Sequence, residues 1–164
     1  MQSEQVQEAI KTWFENLGFR AVTDVAVNQQ TISVAADQDE TRWLVIAIGE
    51  EETADRYLRN FDGAVAQLIG VNEALPVPIR WAIGLAYGRT ERGEEPSYRK
   101  ILKKYSNSVI FADLDVHLLL VREDGSVEDI SPEKVNHFLR YINEIIAGHT
   151  PNVTEDPDQP ATDR

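Results

Sequence analysis

The sequence contains no cysteine and a single methionine. Without cysteine there can be no disulfide, no iron–sulfur cluster, no thiolate zinc site and no cysteine nucleophile. Long apolar runs are missing as well. The run Val116 to Val121 is six residues, against the ~18 that a membrane-spanning helix needs. The opening residues Met1-Gln2-Ser3-Glu4-Gln5-Val6-Gln7-Glu8 are polar and acidic, the wrong chemistry for a secretory signal. The expectation is a cytoplasmic protein with no membrane segment. Positive charge is scarce: 16 Lys and Arg face 28 Asp and Glu, a net charge of -12. That field repels phosphate backbones and opposes non-specific adhesion to nucleic acid. No G-x-S-x-G nucleophile elbow and no glycine-rich phosphate loop occurs. The three histidines, His117, His137 and His149, do not have metal-ligand spacing.

Core-forming residues are plentiful. Leu, Ile, Val and Phe supply 45 of the 164 residues, above the roughly one-fifth below which charged chains stay disordered. The chain reads as one domain over residues 1–148, followed by a tail from His149 to Arg164. The tail holds three prolines, four acids and only Val153 and Ala161 as apolar residues. Such a segment cannot offset its ordering entropy by burial, so it is expected to be disordered.

The apolar pattern predicts a helix over Ser3 to Leu17, with Ser3 as N-cap, Gly18 as the stop, and Val6, Ile10, Trp13, Phe14 and Leu17 on one face. Strands follow over Arg20 to Val27, Thr31 to Ala36 and Arg42 to Ile48. Between the last two, Asp37-Gln38-Asp39-Glu40 reads as a loop. In the second strand Ile32, Val34 and Ala36 alternate with Thr31, Ser33 and Ala35. The third is nearly continuous in apolar residues, as in a strand buried on both faces. Thr53 caps a second helix behind Glu50-Glu51-Glu52, acids that suit the positive end of a helix dipole. Gly63 inside that helix costs up to ~1 kcal/mol relative to Ala and is read as a mark of close packing. A strand over Ile79 to Leu85, a short helix from Ser97, a strand over Val116 to Val121, a hairpin at Glu123-Asp124-Gly125-Ser126 and a strand over Val127 to Ile130 come next. Ser131-Pro132 opens a last helix. The order α-β-β-β-α-β-α-β-β-α predicts an α/β (α+β) fold with a mixed central sheet flanked by helices.

Several stretches, taken in order, carry a family likeness. They are Leu17-Gly18-Phe19 before a valine-rich strand, Trp43-Leu44-Val45-Ile46-Ala47-Ile48-Gly49-Glu50, Ala64-Val65-Ala66-Gln67-Leu68, and Leu118-Leu119-Leu120-Val121 before the Glu123 to Val127 hairpin. Over about Gln5 to Ile130 the chain resembles the PD-(D/E)XK, restriction-endonuclease-like superfamily, with its α-β-β-β-α-β core. The resemblance implies an Asp on the second strand and a Glu on the third to hold Mg²⁺ or Mn²⁺. It also implies a Lys two residues after the Glu to act on the attacking water. Here the matching positions are Ser33, Ala47 and Gly49, which supply neither carboxylate nor ammonium. Gln67 matches the family's helical Gln.

Three expectations follow. The first is a pseudo-nuclease without catalytic residues, cofactor or metal, acting through protein contacts with a partner or with itself as a homodimer. The second is a divergent nuclease that uses Mg²⁺ or Mn²⁺ at a displaced site of Asp37, Glu50 and Gln67. Asp39 is a possible stand-in for Asp37, and no lysine lies near. The third is an acidic module for a basic partner. Arg99, Lys100, Lys103 and Lys104, beside Tyr98 and Tyr105, form the basic cluster that a nucleic-acid surface would need. A solvated helix face accounts for it more simply. His117 and the tryptophans Trp13, Trp43 and Trp81 read as core residues.

Overall fold

In the computed structural model, residues 1–71, 78–87, 104–105, 115–135 and 137 are described. The elements are α1 (Ser3–Asn16), β1 (Arg20–Val27), β2 (Gln30–Gln38), β3 (Thr41–Ile48), α2 (Ala54–Gly70), β4 (Ile79–Ala86), β5 (Val116–Val121) and β6 (Val127–Ile130). The six strands make one mixed sheet in sequence order. The β1–β2, β2–β3 and β5–β6 pairs are antiparallel, and β3–β4 and β4–β5 are parallel. The parallel strands at the centre are those with near-continuous apolar runs, because helices cover both of their faces.

Val6, Ile10 and Phe14 of α1 are fully buried against Val34, Ala36, Trp43, Val45, Ala82, Leu119 and Val121. Gly84 lets α1 close on β4: a Cβ there would lie 2.2 Å from Ile10 Cδ1. Tyr57, Phe61, Ala64 and Leu68 of α2 pack on the other face, against Ile32, Leu44, Ile46, Ile48, Ile83, Leu118 and Leu120.

The helix caps differ in part from the sequence expectation. Gln2, not Ser3, is the N-cap of α1, and its backbone N–H donates to Gln5 Oε1 at 2.8 Å. Gly18 takes φ +89° behind the helix, where Phe19 N–H donates to the Phe14 carbonyl at 3.0 Å, the pattern that satisfies a helix C-terminus. Thr53 does cap α2, accepting from Arg56 N–H at 3.3 Å.

A second difference shapes the molecule. Asp37 and Gln38 belong to β2 rather than to a loop. Arg42, directly opposite Asp37 in the ladder, donates to it from Nε at 2.6 Å and from the guanidinium NH₂ at 3.1 Å. Further along, the alternation of β2 breaks. Val34 and Ala36 face α1, whereas Ile32 joins the α2 core. Residues two apart on a regular strand share a face, so the ribbon turns over between Ile32 and Val34. Opposite this point Asp24 adopts φ +53°, and the β1–β2 pairing is interrupted between Thr23↔Val34 and Val25↔Ile32. Asp tolerates the left-handed region better than most side chains. The hairpin tip thereby leaves the line of the sheet and leans on α2, with Val25 and Val27 packed on the α2 core.

The short helix, most of the last helix and the tail lie largely or wholly outside the described residues. Among the described residues no helix is long and apolar enough to cross a membrane.

Candidate functional site

The turned hairpin creates the cavity of interest. β3 pairs with β2 only as far as Val34↔Val45, but with β4 as far as Ile48↔Leu85. The last three residues of β3 therefore have a strand partner on one side only. A cleft of about 510 Å³ occupies the vacated side, lined by Ile46 to Glu51, by Arg59, Asn60, Gly63, Ala64 and Gln67 of α2, and by Gln2 and Ser3 at the start of α1. Side chains on a strand alternate between faces. Consecutive residues such as Ile46, Ala47 and Ile48 can line one cavity only by presenting the strand's edge.

Of Ser33, Ala47 and Gly49, the last two line this cleft and Ser33 touches the first of them. The Ala47 N–H donates to Ser33 Oγ at 2.8 Å, so a hydroxyl replaces the carbonyl that a regular ladder would supply. Gly49 is buried and closed in: a Cβ would sit 2.4 Å from the Ser3 nitrogen and 2.7 Å from the Gln2 carbonyl carbon. No side chain fits without displacing the start of α1. Glu50 follows, half-exposed, with its carboxylate 2.5 Å from the Met1 amine and its N–H donating to the Met1 carbonyl at 2.8 Å.

Across the cleft, Gln67 Nε2 donates to the Thr31 carbonyl at 3.4 Å and props the turned hairpin. Asn60 Nδ2 donates to Glu51 Oε1 at 2.7 Å. Arg59 is exposed at the rim. Gly63 is not a point of close packing: a Cβ there would meet nothing within 4 Å. Its missing side chain is part of the cleft's volume. Tyr57, buried beneath, donates from its hydroxyl to the Ala86 carbonyl at 3.3 Å. Burial, and secondarily the Glu50 charge, push its phenol well above the usual range.

The displaced trio is only partly assembled. Glu50 and Gln67 share the cleft. Asp37 is held by Arg42 at the opposite end of β3, about 25 Å away at the usual strand rise. Asp39 sits at φ +51° in the β2–β3 turn. Among the described residues no three His, Asp or Glu side chains gather as a metal-holding group. Glu50 already holds an ammonium, Glu51 accepts from Asn60, and Ser33 accepts from Ala47.

Of the basic cluster, Arg99, Lys100 and Lys103 lie outside the described residues. Lys104 donates to Asp62 on α2 at 2.6 Å. Tyr105 also donates to Asp62, and its ring packs on Phe61 with centroids 5.0 Å apart. Partial burial would raise the Asp62 carboxyl, but the bonds from Lys104 and Tyr105 outweigh it and hold it below its ordinary value. The same burial and the Asp62 bond push the Tyr105 phenol upward. His117 is a hydrogen-bonded, part-buried residue, with Nδ1 2.8 Å from Asp129 Oδ1 and its ring edge-on to Trp43 at 4.7 Å.

Sequence reasoning named Ser33, Ala47, Gly49, Glu50 and Gln67 but missed Arg59 and Asn60 and misjudged Gly63. The spacing of Asn60, Gly63 and Gln67, three and then four residues apart, was the signal that they share one helix face. No family model, curated protein or solved structure matches this chain.

Proposed function

We propose that the chain is a non-catalytic protein of nuclease-like architecture that acts through contacts with another protein or with a second copy of itself. A cytoplasmic setting is part of this reading. The observation that carries it is the closure at Gly49, where a Cβ would meet the α1 backbone at 2.4 Å. In the resembled family that position bears the lysine. Here a lysine needs α1 moved, so the lost group is not one substitution from restoration. The hydroxyl at Ser33, bonded to the Ala47 N–H, adds support: it serves the strand pairing where the family would place a metal ligand. The displaced alternative needs Asp37 and Glu50 at one ion, and a strand's length separates them. The net charge of -12 favours a basic partner over a polyanion.

The test is incubation of the full chain with single- and double-stranded DNA and RNA in Mg²⁺ and in Mn²⁺. No cleavage is expected above that of an identically purified Glu50→Ala variant. Metal-dependent cleavage that the wild type performs and Glu50→Ala loses would overturn the reading.

A further inference from the structure

Among the described residues β1 ends the sheet on one side, and Arg20, Val22, Asp24 and Ala26 along it are exposed. The direction of its main-chain groups follows from the neighbouring strands. The Arg42 N–H donates to the Pro78 carbonyl, beside β4, at 3.1 Å, and hydrogen-bonding direction alternates along a strand. Trp43 and Val45 therefore bond to β2, through their partners Ala36 and Val34. The alternate β2 residues, Ala35 and Asp37, turn to β1 and bond to Val22 and Arg20. That leaves the N–H and C=O of Ala21 and Thr23 directed outward from the sheet. Val22, 41% exposed, is a large apolar side chain in the middle of this edge. Arg20 and Asp24 flank it with opposite charges, and neither is in an ion pair among the described residues.

We propose that β1 pairs antiparallel with β1 of a second copy of the chain, about a two-fold axis at Val22, joining two sheets edge to edge. This rests on the reading that the protein works through protein contacts, and it names the second copy and the surface. In the register that sets Val22 opposite the partner's Val22, the outward groups of Ala21 meet those of the partner's Thr23, and the reverse, which closes both sets of main-chain hydrogen bonds. Arg20 then lies opposite the partner's Asp24 on either side of the axis. The two Val22 residues form a non-hydrogen-bonded pair, with Cα atoms about 4.5 Å apart and side chains in contact. Sliding by two residues in either direction sets Val22 against Arg20 or Asp24 and loses the ion pairs, so the charges select one register. Self-complementarity of this kind is what a two-fold contact requires. Asp24, at φ +53°, turns the ribbon aside beyond it and confines the added pairing to the stretch from Arg20 to Asp24. The net charge of -12 on each copy opposes approach from afar, but physiological salt screens it beyond about 8 Å, whereas the opposite charges meet at contact.

Sedimentation equilibrium of the full chain at physiological salt reads the association, and a reversible monomer–dimer equilibrium is expected. Thr23→Pro removes an outward N–H that serves no bond within the sheet. It should leave the melting temperature of the monomer unchanged, as proline on an edge strand can, and weaken dimerisation about tenfold or more. Arg20→Glu and Asp24→Lys should each weaken it about tenfold, because each sets like charges opposite one another on both sides of the axis. Mixing those two variants should restore a dimer, since each then meets the opposite charge on the other. The chain has no cysteine, so Val22→Cys should form an interchain disulfide on mild oxidation, its Cα separation across the axis lying within disulfide range. Ala26→Cys, beyond Asp24, should not. The proposal fails if the wild type stays monomeric at submillimolar concentration or if Thr23→Pro dimerises undiminished. It also fails if mixing the two folded charge variants restores nothing, or if Ala26→Cys crosslinks as readily as Val22→Cys. These failures leave the non-catalytic reading standing, since only the cleavage assay bears on that.

Discussion

The two ends of β3 are built from neighbouring residues of one meander and behave as opposites. At the Arg42 end, β2 and β3 stay in register to the turn, and Asp37 and Arg42 face each other as a two-point ion pair. At the Ile48 end, β2 has turned over at Ser33 and left. A single side-chain hydroxyl stands in for the ladder, and a glycine is pressed against the start of α1. Regular pairing makes the first end a support. Broken pairing makes the second end a cleft. A mixed sheet therefore obtains a concave site without inserting a loop: one left-handed residue on the neighbouring strand, Asp24, accompanies a change of side-chain parity and frees an edge.

The comparison breaks most readily at Gly49. Gly49→Ala should destabilise the fold by about 2–3 kcal/mol, because the added methyl meets backbone atoms rather than a mobile side-chain tip, and overpacking of that kind commonly costs 1–3 kcal/mol. Urea unfolding measures it, and amide exchange over the first turn of α1 should accelerate alongside. At Gly84 the same change meets the tip of Ile10 instead, which can swing. An Ala at Gly49 that leaves both readouts unmoved would mean that the start of α1 yields freely and that the lysine position is not closed.

Ser33→Ala comes next. It leaves the Ala47 N–H without the Ser33 hydroxyl, and an unmade bond to a part-buried donor costs about 1–2 kcal/mol. The midpoint of unfolding should fall while the slope stays constant, since no additional surface is exposed. Exchange of the Ala47 amide should rise more than that of Val45, which lies within the β2–β3 register. Equal protection at both positions would show that the hydroxyl does not hold the fork.

What could be read from the sequence divides along the same line. The spans of β1, β5 and β6 and the capping of α2 by Thr53 agree with their apolar patterns and turn residues, because those segments are regular. The meander followed by a helix and parallel strands was likewise legible. The parity switch was not. Ile32, Val34 and Ala36 look like one face of a strand, and the period-two rule assumes regular pleating. The available hint was an aspartate amid the valines of β1, in a conformation that Asp tolerates and valine does not. Asp37 opens four polar residues in a row, which read as a turn, although Arg42 is a cross-strand counter-charge at hairpin distance. Gly63 resisted for a different reason: a helical glycine marks either tight contact or open space, and only the positions of its neighbours decide between them.

The smallest effect belongs to the closed end. Asp37→Asn removes a charge from a pair whose side chains are 34% and 40% exposed. Exposed ion pairs contribute at most about 1 kcal/mol, and the regular ladder beneath this one keeps its backbone bonds. The guanidinium, held above its usual range chiefly by the hydrogen bond to Asp37, stays charged and turns to water. The loss should be below that of Ser33→Ala. It should shrink further between low salt and 1 M salt, where the screening length falls to about 3 Å, while the Ser33→Ala loss should be indifferent to salt. Paired denaturation curves at the two ionic strengths separate the cases. A salt-insensitive loss at Asp37 larger than that at Ser33 would reverse the assignment, making the ion pair the clamp of the ribbon and the hydroxyl an ornament of the fork.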